Sequence, residues 1–391
     1  MVEPFPEVCT EIPLAKPEII DADRDAVLAV LRTSALSMGP KLMEFERAMA
    51  AYLGGVSAVV VNSGTSALHL ALKVLNVPRG SQVVLPSFTF SAVLNVLLQE
   101  QLSPVFAEID ASTFNLSAET VEAQISERTR AIIAVHTFGR PTAADDLREL
   151  AKSRGIVLIE DACEALGAEI RGRKAATLGD AGVLAFYPNK LITAGEGGML
   201  LTPDPKLADR ARRLRNQGRD PSLDWFQHAE PGYSYRLSEM NCALGLQQLQ
   251  RIEENIARRQ RLAASYDREL VRVAGVVRPQ LGFEHGRVSW FCYVVLLPEW
   301  TNAAGRDWIC KRLLQRGIQT GRYFAPLHRQ PVLGSRPRPD LPVTDGIASR
   351  ALALPFFNQL TEDEVGRVCA ALEESLNELE DVERTANSPE S

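Results

Sequence analysis

The sequence predicts an α/β fold with a mostly parallel, predominantly seven-stranded sheet covered by helices, followed by a smaller C-terminal α+β domain. Two observations support this prediction. Short apolar runs alternate with helix-like segments from residue 57 to about residue 201. Several of these runs are apolar throughout, without the alternation of a half-exposed strand, which is typical of strands covered on both faces. Such βαβ alternation predicts an α/β layer structure.

The elements of the large domain follow from these patterns in order. Two helix candidates, 21–32 and 42–53, flank the connection 33–40, which we interpret as a lid or a dimer arm. The predicted strands are 59–61, 83–85, 105–106, 131–135, 156–159, 183–186 and 199–201. Helical spacing between the strands predicts helices at 66–75, 92–99, 118–124 and 143–153. After the sheet, 206–216 is an Arg-rich helix candidate, and 238–270 is predicted as one long helix capped by Ser238.

The C-terminal third predicts a strand at 293–297 and helices at 303–316 and 362–379. The Pro-rich stretch 330–344 is predicted as a long loop, and the polar tail 380–391 as disordered. The predicted division of the chain has four parts. They are an N-terminal segment at 1–40 that packs on both domains, a large domain at 41–255, a small domain at 256–379 and the tail at 380–391.

The composition favours small molecules as partners. The formal net charge is -6 and no dense Lys/Arg block occurs, which argues against nucleic acid or an anionic membrane surface. The six cysteines are spread singly without a C-x-x-C pair, and the five histidines are too scattered to suggest a metal site. No basic region followed by an apolar stretch opens the sequence, and no run of about 18 apolar residues occurs. We therefore expect a cytoplasmic protein.

Lys190 and Asp161 are the first candidates for chemistry. Lys190 lies between the strand 183–186 and the glycine turn 195–198, and Asp161 ends another apolar run. We expect both at the ends of neighbouring strands, where open α/β sheets bind ligands. A deprotonated lysine can form an imine with a cofactor aldehyde, and a carboxylate can keep a pyridine nitrogen protonated. The pair indicates pyridoxal phosphate; the alternatives are a solvated lysine and a helix-capping aspartate.

Two further stretches follow predicted strands. Residues 61–68 are a strand end that turns into a helix, and small, hydroxylated residues there leave backbone N–H groups free for a phosphate. The alternative is an ordinary N-cap. In the stretch 86–90, an aromatic ring could stack on a cofactor ring, although Phe90 could equally be a core residue.

Together these stretches resemble one family, the sugar aminotransferases of the DegT/DnrJ/EryC1/StrS group, which are fold-type I pyridoxal phosphate enzymes. The resemblance covers about residues 13–379, and the matching stretches are 62–70, 86–90, 104–110, 160–167, 186–190, 195–198, 214–218, 232–238 and 323–328. It implies that Lys190 forms the imine with the cofactor and that Asp161 pairs with the pyridine nitrogen. It also implies that Gly64 and Thr65 hold the phosphate and that Phe90 takes the stacking position.

At three positions near the implied cofactor, this sequence differs from the common family pattern. Glu164 stands where the family often has Gln or His beside the cofactor. Since a carboxylate would repel the phenolic oxygen, we expect Glu164 to be protonated or to point elsewhere. Ala185 replaces a frequent Ser, and Ser234 replaces a frequent Asn in the segment that reaches over from the partner subunit. A hydroxyl can still donate one hydrogen bond, so we expect a phosphate site with fewer or rearranged contacts.

The resemblance further implies a homodimer with shared active sites. Arg236 is expected to meet a carboxylate of the amino donor through its planar guanidinium group, or else to form a structural salt bridge at the interface. Tyr323 and His328 resemble residues that line the cleft for the nucleotide-linked sugar. Loop packing is the alternative for both.

The implied activity is transfer of an amino group, with L-glutamate as the expected donor, to a 3- or 4-keto carbon of a nucleotide-linked deoxysugar. Ping-pong kinetics should follow. One alternative is a sugar dehydratase of the same fold, in which histidine replaces the lysine; Lys190 argues against it. Another is a binding or regulatory protein that has lost turnover, which Ala185 and Ser234 would suit. The loops 219–231 and 330–344 decide the sugar, and no pattern encodes their shapes.

Overall fold

The computed structural model of the chain describes residues 11–220, 222–224, 227–336 and 338–386. Its α-helices are α1 (Asp21–Leu31), α2 (Pro40–Tyr52), α3 (Gly64–Val74), α4 (Ala92–Gln99), α5 (Ala118–Glu122), α6 (Ala144–Arg154), α7 (Pro205–Arg215), α8 (Glu239–Leu249), α9 (Ile252–Leu270), α10 (Ala303–Gln315), α11 (Pro342–Arg350) and α12 (Glu362–Ala386). Its strands are β1 (Ser57–Val61), β2 (Gln82–Pro86), β3 (Ser103–Ala107), β4 (Thr129–Val135), β5 (Val157–Asp161), β6 (Glu169–Ile170), β7 (Arg173–Lys174), β8 (Ala181–Ala185), β9 (Gly198–Thr202), β10 (Gly286–Arg287), β11 (Tyr293–Leu296) and β12 (Ala351–Leu354).

A seven-stranded sheet in the order β1-β9-β8-β5-β4-β2-β3 forms the large domain. The strands β8, β5, β4, β2 and β3 are parallel to one another, whereas β9 is antiparallel to both β1 and β8. Alternate residues of β1 show why its run is wholly apolar. Val59 and Val61 belong to the core on the face covered by α3 and α7, and Val60 packs with Phe45 of α2 on the other face. The predicted fold class is confirmed.

The C-terminal domain is built on the antiparallel pair of β11 and β12. Its core contains Tyr266 of α9, Ile309 of α10 and Leu372 of α12, all fully buried. A small sheet in the order β10-β6-β7 links the chain that enters this domain to the large domain. No helix in the described part of the chain has the length and apolar character needed to cross a bilayer.

The N-terminal segment touches both parts of the molecule. The backbone of Ile12 pairs with that of Ile318, and the carbonyl group of Leu14 accepts a hydrogen bond from Phe356 N. In α1, the buried Asp23 carboxylate accepts hydrogen bonds from Gln248 and from the guanidinium group of Arg251. These last contacts fix α1 against α8.

The long helix predicted at 238–270 is instead two helices, α8 and α9, with a turn at residues 250–251. The N–H groups of Gln250 and Arg251 donate to carbonyl groups three residues earlier, at Gln247 and Gln248, which tightens the end of α8. The side chains of Gln248 and Arg251 bind Asp23 at this place. A tertiary contact thus coincides with the break, which helix propensity alone does not predict.

Two predictions for the C-terminal region are partly wrong. Helix α12 continues to Ala386, so residues 380–386 of the predicted disordered tail are helical, and the remaining residues 387–391 lie outside the described residues. An ion pair of Arg384 with Glu380, one helical turn away, supports this extension. The predicted loop 330–344 contains a short 3₁₀ turn at Pro331–Leu333 and the first residues of α11.

A backbone contact between residues 137–139 and 289–291 joins the two domains beside the carboxyl edge of the sheet. Ser289 N donates to Gly139 O at 3.0 Å, and Phe291 N donates to Phe138 O at 3.2 Å. Gly139 has a φ of +88°, and a Cβ atom there would lie 2.6 Å from Trp290 N. Only glycine combines this left-handed conformation with so close an approach.

Replacing Gly139 with alanine should destabilise the protein through both effects. We expect Gly139→Ala to lower the free energy of unfolding by at least about 2 kcal/mol, because strain and a backbone clash act together. Gly54 is the matched control, since its φ of +83° is similar but nothing lies near its Cβ position. Chemical denaturation of both variants measures the difference, and equal losses would mean that the close approach at Gly139 is unimportant.

Candidate active site

The carboxyl ends of β5 and β8 form the centre of the site. The two strands are parallel neighbours, with Asp161 at the end of β5 opposite Val183 of β8, and the chain continues from β8 to Lys190. Asp161 is buried, and its Oδ1 accepts a hydrogen bond from Cys163 N at 3.0 Å. This bond holds the carboxylate at the strand end, where open α/β sheets bind ligands.

Lys190 lies in a nearly closed environment between the two domains. Its Nζ atom is 3.8 Å from Glu164 Oε1 and 4.2 Å from the centre of the Phe291 ring. The side chains of Lys190 and Glu164 are only 16% and 10% exposed. Lys190 is therefore not a solvated surface lysine, which was the alternative interpretation of its sequence position. An ammonium group over a ring face gains a favourable cation–π contact when water is excluded.

Glu164 is fixed by the loop at residues 137–139. Its Oε2 atom accepts a hydrogen bond from Phe138 N at 3.0 Å, while Oε1 faces Lys190. Burial raises the pKa of Glu164, and Asp161 adds to this effect, although Lys190 and the Phe138 hydrogen bond oppose it. This upward shift makes Glu164 easier to protonate than an ordinary glutamate, and its contacts keep the side chain directed at Lys190.

The N-terminus of α3 adjoins the same group. Ser66 N donates to Ser63 Oγ at 3.1 Å and Ala67 N to Ser63 O at 3.0 Å, which leaves the N–H groups of Gly64 and Thr65 without an intrahelical acceptor. Such a terminus suits an anion, and Thr65 is exposed there. Ser63 also caps the helix, as the alternative interpretation of this stretch as an ordinary N-cap predicts.

Close packing connects α3 to the ends of β5 and β8. A Cβ atom on Gly64 would lie 2.8 Å from Ala185 Cβ and 3.0 Å from Cys163 Sγ. Burial, followed by the nearby Asp161 carboxylate, raises the pKa of the Cys163 thiol well above its ordinary value, so this group is neutral. The N-terminus of α3 and the Asp161 carboxylate therefore lie at one place in the structure.

Phe90, Ser234 and Arg236 lie outside this inner group. Phe90 follows β2, two strands away from β5 at the same edge of the sheet, and its side chain is 62% exposed, so it is not a core residue. Ser234 is exposed and forms a backbone bridge with Asn216. Arg236 donates to Asn216 Oδ1 at 3.2 Å. These contacts do not join Ser234 or Arg236 to the Lys190 group of their own chain.

Tyr323 contacts the inner group from the small domain. Its ring stacks on Phe291, with the ring centres 6.1 Å apart. Burial raises the pKa of Tyr323 to about 12, with further increases from Cys292 and Glu164 and an opposing effect of the Asn189 side chain. The hydroxyl group is thus neutral and faces the surroundings of Glu164 and Asn189.

His328 does not line an open cleft. It is fully buried, with Nδ1 2.6 Å from Ser87 Oγ and Nε2 3.2 Å from Asp345 Oδ1. Its backbone N also donates to Ser87 Oγ. His328 is therefore a loop-packing residue, which was the alternative interpretation. Its contacts with Ser87 attach the 327–329 turn to the end of β2.

Sequence reasoning missed the side chains that surround Lys190 and Glu164. Phe138 and Phe291 come from loops with no recognisable local motif, and Phe291 lies about a hundred residues further along the chain than Lys190. Asn189 belongs to the matching stretch 186–190, but the sequence alone assigns it no role. Its Oδ1 atom is buried and has no hydrogen-bond partner among the described residues.

Known proteins share this fold and sequence. A family model described as the DegT/DnrJ/EryC1/StrS aminotransferase family matches residues 17–373. GDP-perosamine synthase of Caulobacter vibrioides is 38% identical over 368 residues, which cover 93% of this chain and 98% of that protein. The aminotransferase TlmJ from Streptoalloteichus hindustanus is 32% identical with a TM-score of 0.89, covering 94% of this chain and 100% of that chain. DesI, solved in the presence of its TDP-sugar product, is 33% identical with a TM-score of 0.87, covering 96% of both chains.

The buried His328 should make stability depend on pH. Burial lowers the pKa of His328 below its ordinary value of about 6.5, although Asp345 opposes the shift. The unfolded chain therefore binds this proton more readily, so the stabilisation by neutral His328 is complete above about pH 6.5 and is lost as the pH falls further.

We expect His328→Gln to lose less unfolding free energy than the wild type when the pH is lowered from about 7.5 to about 5.5. Urea denaturation at the two pH values measures both losses, and the variant serves to subtract all other titrating groups. Identical losses in the two proteins would contradict a neutral, buried His328.

Proposed function

Because the chain belongs to the DegT/DnrJ/EryC1/StrS aminotransferase family, we propose that it is a pyridoxal phosphate-dependent aminotransferase that acts on a nucleotide-linked keto sugar. The observation that carries the proposal is the group formed by Lys190, Glu164 and Asp161 beside the N-terminus of α3. An amine, a carboxylate and an anion-binding helix end are the three features that this cofactor needs.

The residues present fit the cofactor. Asp161 is held as an acceptor by Cys163 N, and Gly64 and Thr65 offer N–H groups to a phosphate. Phe90 offers an exposed ring at the same edge of the sheet. When bound, pyridoxal phosphate supplies an aldehyde for the lysine and an electron-accepting ring. The phosphate shell lacks a hydroxyl group at Ala185, so in this chain it depends more on α3 and, in the proposed dimer, on Ser234 of the other subunit.

Lys190 is the proposed proton carrier of the reaction. Its Nζ atom takes a proton from the α-carbon of the amino donor and, in the second half-reaction, acts at the sugar carbon. The contacts with Phe291 and Glu164 keep Nζ away from bulk water. Asp161, which Cys163 N holds in place, would keep a proton on the ring nitrogen of the bound cofactor and so strengthen the ring as an electron acceptor. Ping-pong kinetics are expected because the two substrates use the same amine in turn.

The nucleotide-linked sugar is proposed from the relatives. One is named for the synthesis of GDP-perosamine, and another was solved with a TDP-sugar product. Tyr323, which contacts Phe291 beside Lys190, is the proposed contact to the sugar. The proposed donor is L-glutamate, and the proposed compartment is the cytoplasm.

A homodimer with shared sites is part of the proposal. Ser234 and Arg236 make no described contact with Asp161, Glu164 or Lys190 of their own chain, which is what a role in the other subunit's site requires. Arg236 would then bind the carboxylate of the donor. A structural role of Arg236 in the interface is the alternative.

Two other functions are less well supported. A dehydratase of this fold would need histidine in place of Lys190, and lysine stands there. A binding protein without turnover would have no need for a largely buried lysine beside a carboxyl group.

The direct test supplies the loaded protein with L-glutamate and GDP-, UDP- and TDP-linked 3-keto and 4-keto 6-deoxyhexoses. Mass spectrometry should detect one aminated nucleotide sugar. If the cofactor binds and no sugar is aminated, the sugar assignment is wrong.

Lys190→Ala should remain folded and lose transamination. Without the amine at this position, we expect turnover to fall at least about a hundredfold, the lower range for loss of a positioned acid–base group. Steady-state assays measure the loss, and circular dichroism checks the fold. Turnover close to that of the wild type would remove Lys190 from the reaction.

Asp161→Ala should be more damaging than Asp161→Glu, because only the second variant keeps a carboxylate. We expect a difference in kcat/KM of about tenfold or more, which corresponds to about 1.4 kcal/mol. If both substitutions reduce kcat/KM equally, Asp161 acts only as a cap on the following turn.

Shared active sites can be tested by mixing inactive subunits. Lys190→Ala and Arg236→Ala subunits, unfolded and refolded together in equal amounts, should regain roughly a quarter of the wild-type activity, since half of the dimers are mixed and each has one intact site. The controls are the two variants refolded separately. A mixture no more active than the better control would argue that each site uses its own Arg236.

A further inference from the structure

The inner group contains one amine and two carboxyl groups that are largely shielded from water. Nζ of Lys190 lies 3.8 Å from Glu164 Oε1, and Asp161 is close enough to affect Glu164 electrostatically. A lysine that reacts with a carbonyl must first lose a proton. Since only 16% of the Lys190 side chain is exposed, an acceptor within the site is the nearest destination for that proton.

We propose that Glu164 is the proton partner of Lys190, with Oε1 accepting the proton that Nζ loses before it reacts and returning it when Nζ is released. The exchange converts a Lys190 ammonium and a Glu164 carboxylate into a neutral amine and a carboxylic acid, so the total charge does not change. Glu164 acts through Lys190 and is therefore a positioning residue. Its part in turnover rests on the proposed function, but the exchange itself belongs to the cofactor-free protein.

The geometry gives the two oxygens of Glu164 different tasks. Oε2 accepts the hydrogen bond from Phe138 N at 3.0 Å, which fixes the carboxyl group. Oε1 faces Nζ at 3.8 Å, and the exchange requires a rotation of the long lysine side chain that brings the two atoms to hydrogen-bond length. Phe291 lies under Nζ and limits its movement away from Glu164.

The nearby thiols and the Tyr323 hydroxyl group keep their own protons near neutral pH and therefore do not compete as acceptors. Burial raises the pKa values of Cys163, at the end of β5, and of Cys292, before β11, well above the ordinary range. Burial also raises the pKa of Tyr323 to about 12. Arg259 stands behind Cys292 and donates to the carbonyl groups of residues 290 and 291. Asp161 is the second carboxylate, and it makes a proton on Glu164 more favourable.

The proton exchange also explains how a glutamate can stand beside the proposed cofactor without repelling it. Once Glu164 holds the proton, it can donate a hydrogen bond to an oxygen anion instead of repelling it. Gln at this position could donate such a bond but could not take a proton from Lys190. The exchange with Lys190 therefore distinguishes Glu164 from a simple hydrogen-bond donor.

The first experiment measures how readily Lys190 is labelled in cofactor-free protein. Lysines are acetylated briefly with acetic anhydride at a series of pH values, and mass spectrometry gives the half-labelling pH of each one. Glu164→Gln keeps an acceptor for Phe138 N but removes the anion, so we expect the half-labelling pH of Lys190 to fall by about half a unit or more. Glu164→Asp should restore part of the shift. Lys174, which lies 2.7 Å from Glu169, is the internal control and should not change.

The second experiment measures the proton on Glu164. With ¹³C-labelled glutamate, the Glu164 carboxyl of the wild type should titrate above the ordinary value of about 4.3, and in Lys190→Met it should titrate higher still. The proposal is overturned if Glu164→Gln leaves Lys190 labelling unchanged, or if Glu164 titrates at the ordinary value in both proteins. Neither experiment uses a cofactor or a sugar, so an inactive protein would still decide it. Conversely, if the protein aminates a sugar but the Lys190 labelling and the Glu164 titration are unshifted, only the proposed role of Glu164 is wrong.

Discussion

The parallel pairing of β5 with β8 is the constraint on which the rest of the site depends. It places Asp161 beside the strand that leads to Lys190, although 28 residues separate the two in the sequence. Apolar residues of both strands are buried on the two faces of the sheet, so the pair lies in the core of the large domain. The same packing places the N-terminus of α3 against Ala185 and Cys163. A carboxylate, an amine and an anion-binding helix end are thereby brought together by the sheet.

A second contact completes the site from outside the sheet. The loop at residues 137–139 donates its Phe138 N–H group to Glu164 and offers its carbonyl groups to residues 289 and 291. The ring of Phe291 is consequently held under Lys190, and the ring of Tyr323 stacks on Phe291. The small domain thus contributes the apolar wall, and the large domain contributes the charged groups.

The sequence allowed the sheet and its catalytic candidates to be predicted because the signals are local. Wholly apolar runs mark buried strands, and Lys190 and Asp161 follow such runs directly. The break between α8 and α9 could not be foreseen, since it coincides with contacts of Gln248 and Arg251 with the distant Asp23. The same holds for Phe291 and Phe138, whose roles arise from pairing between separate loops. His328 lies in a motif that suggested a cleft, but Ser87 and Asp345 enclose it. The roles of Ser234 and Arg236 depend on a second subunit and stay predictions.

We propose that Lys190, beyond the end of β8, is the amine that holds pyridoxal phosphate. Borohydride reduction of the loaded protein, followed by proteolysis and mass spectrometry, tests it most directly, because reduction makes the bond between lysine and cofactor permanent. We predict one pyridoxyl group, located on Lys190. Attachment to another lysine, or no attachment in protein that has bound the cofactor, would contradict the account.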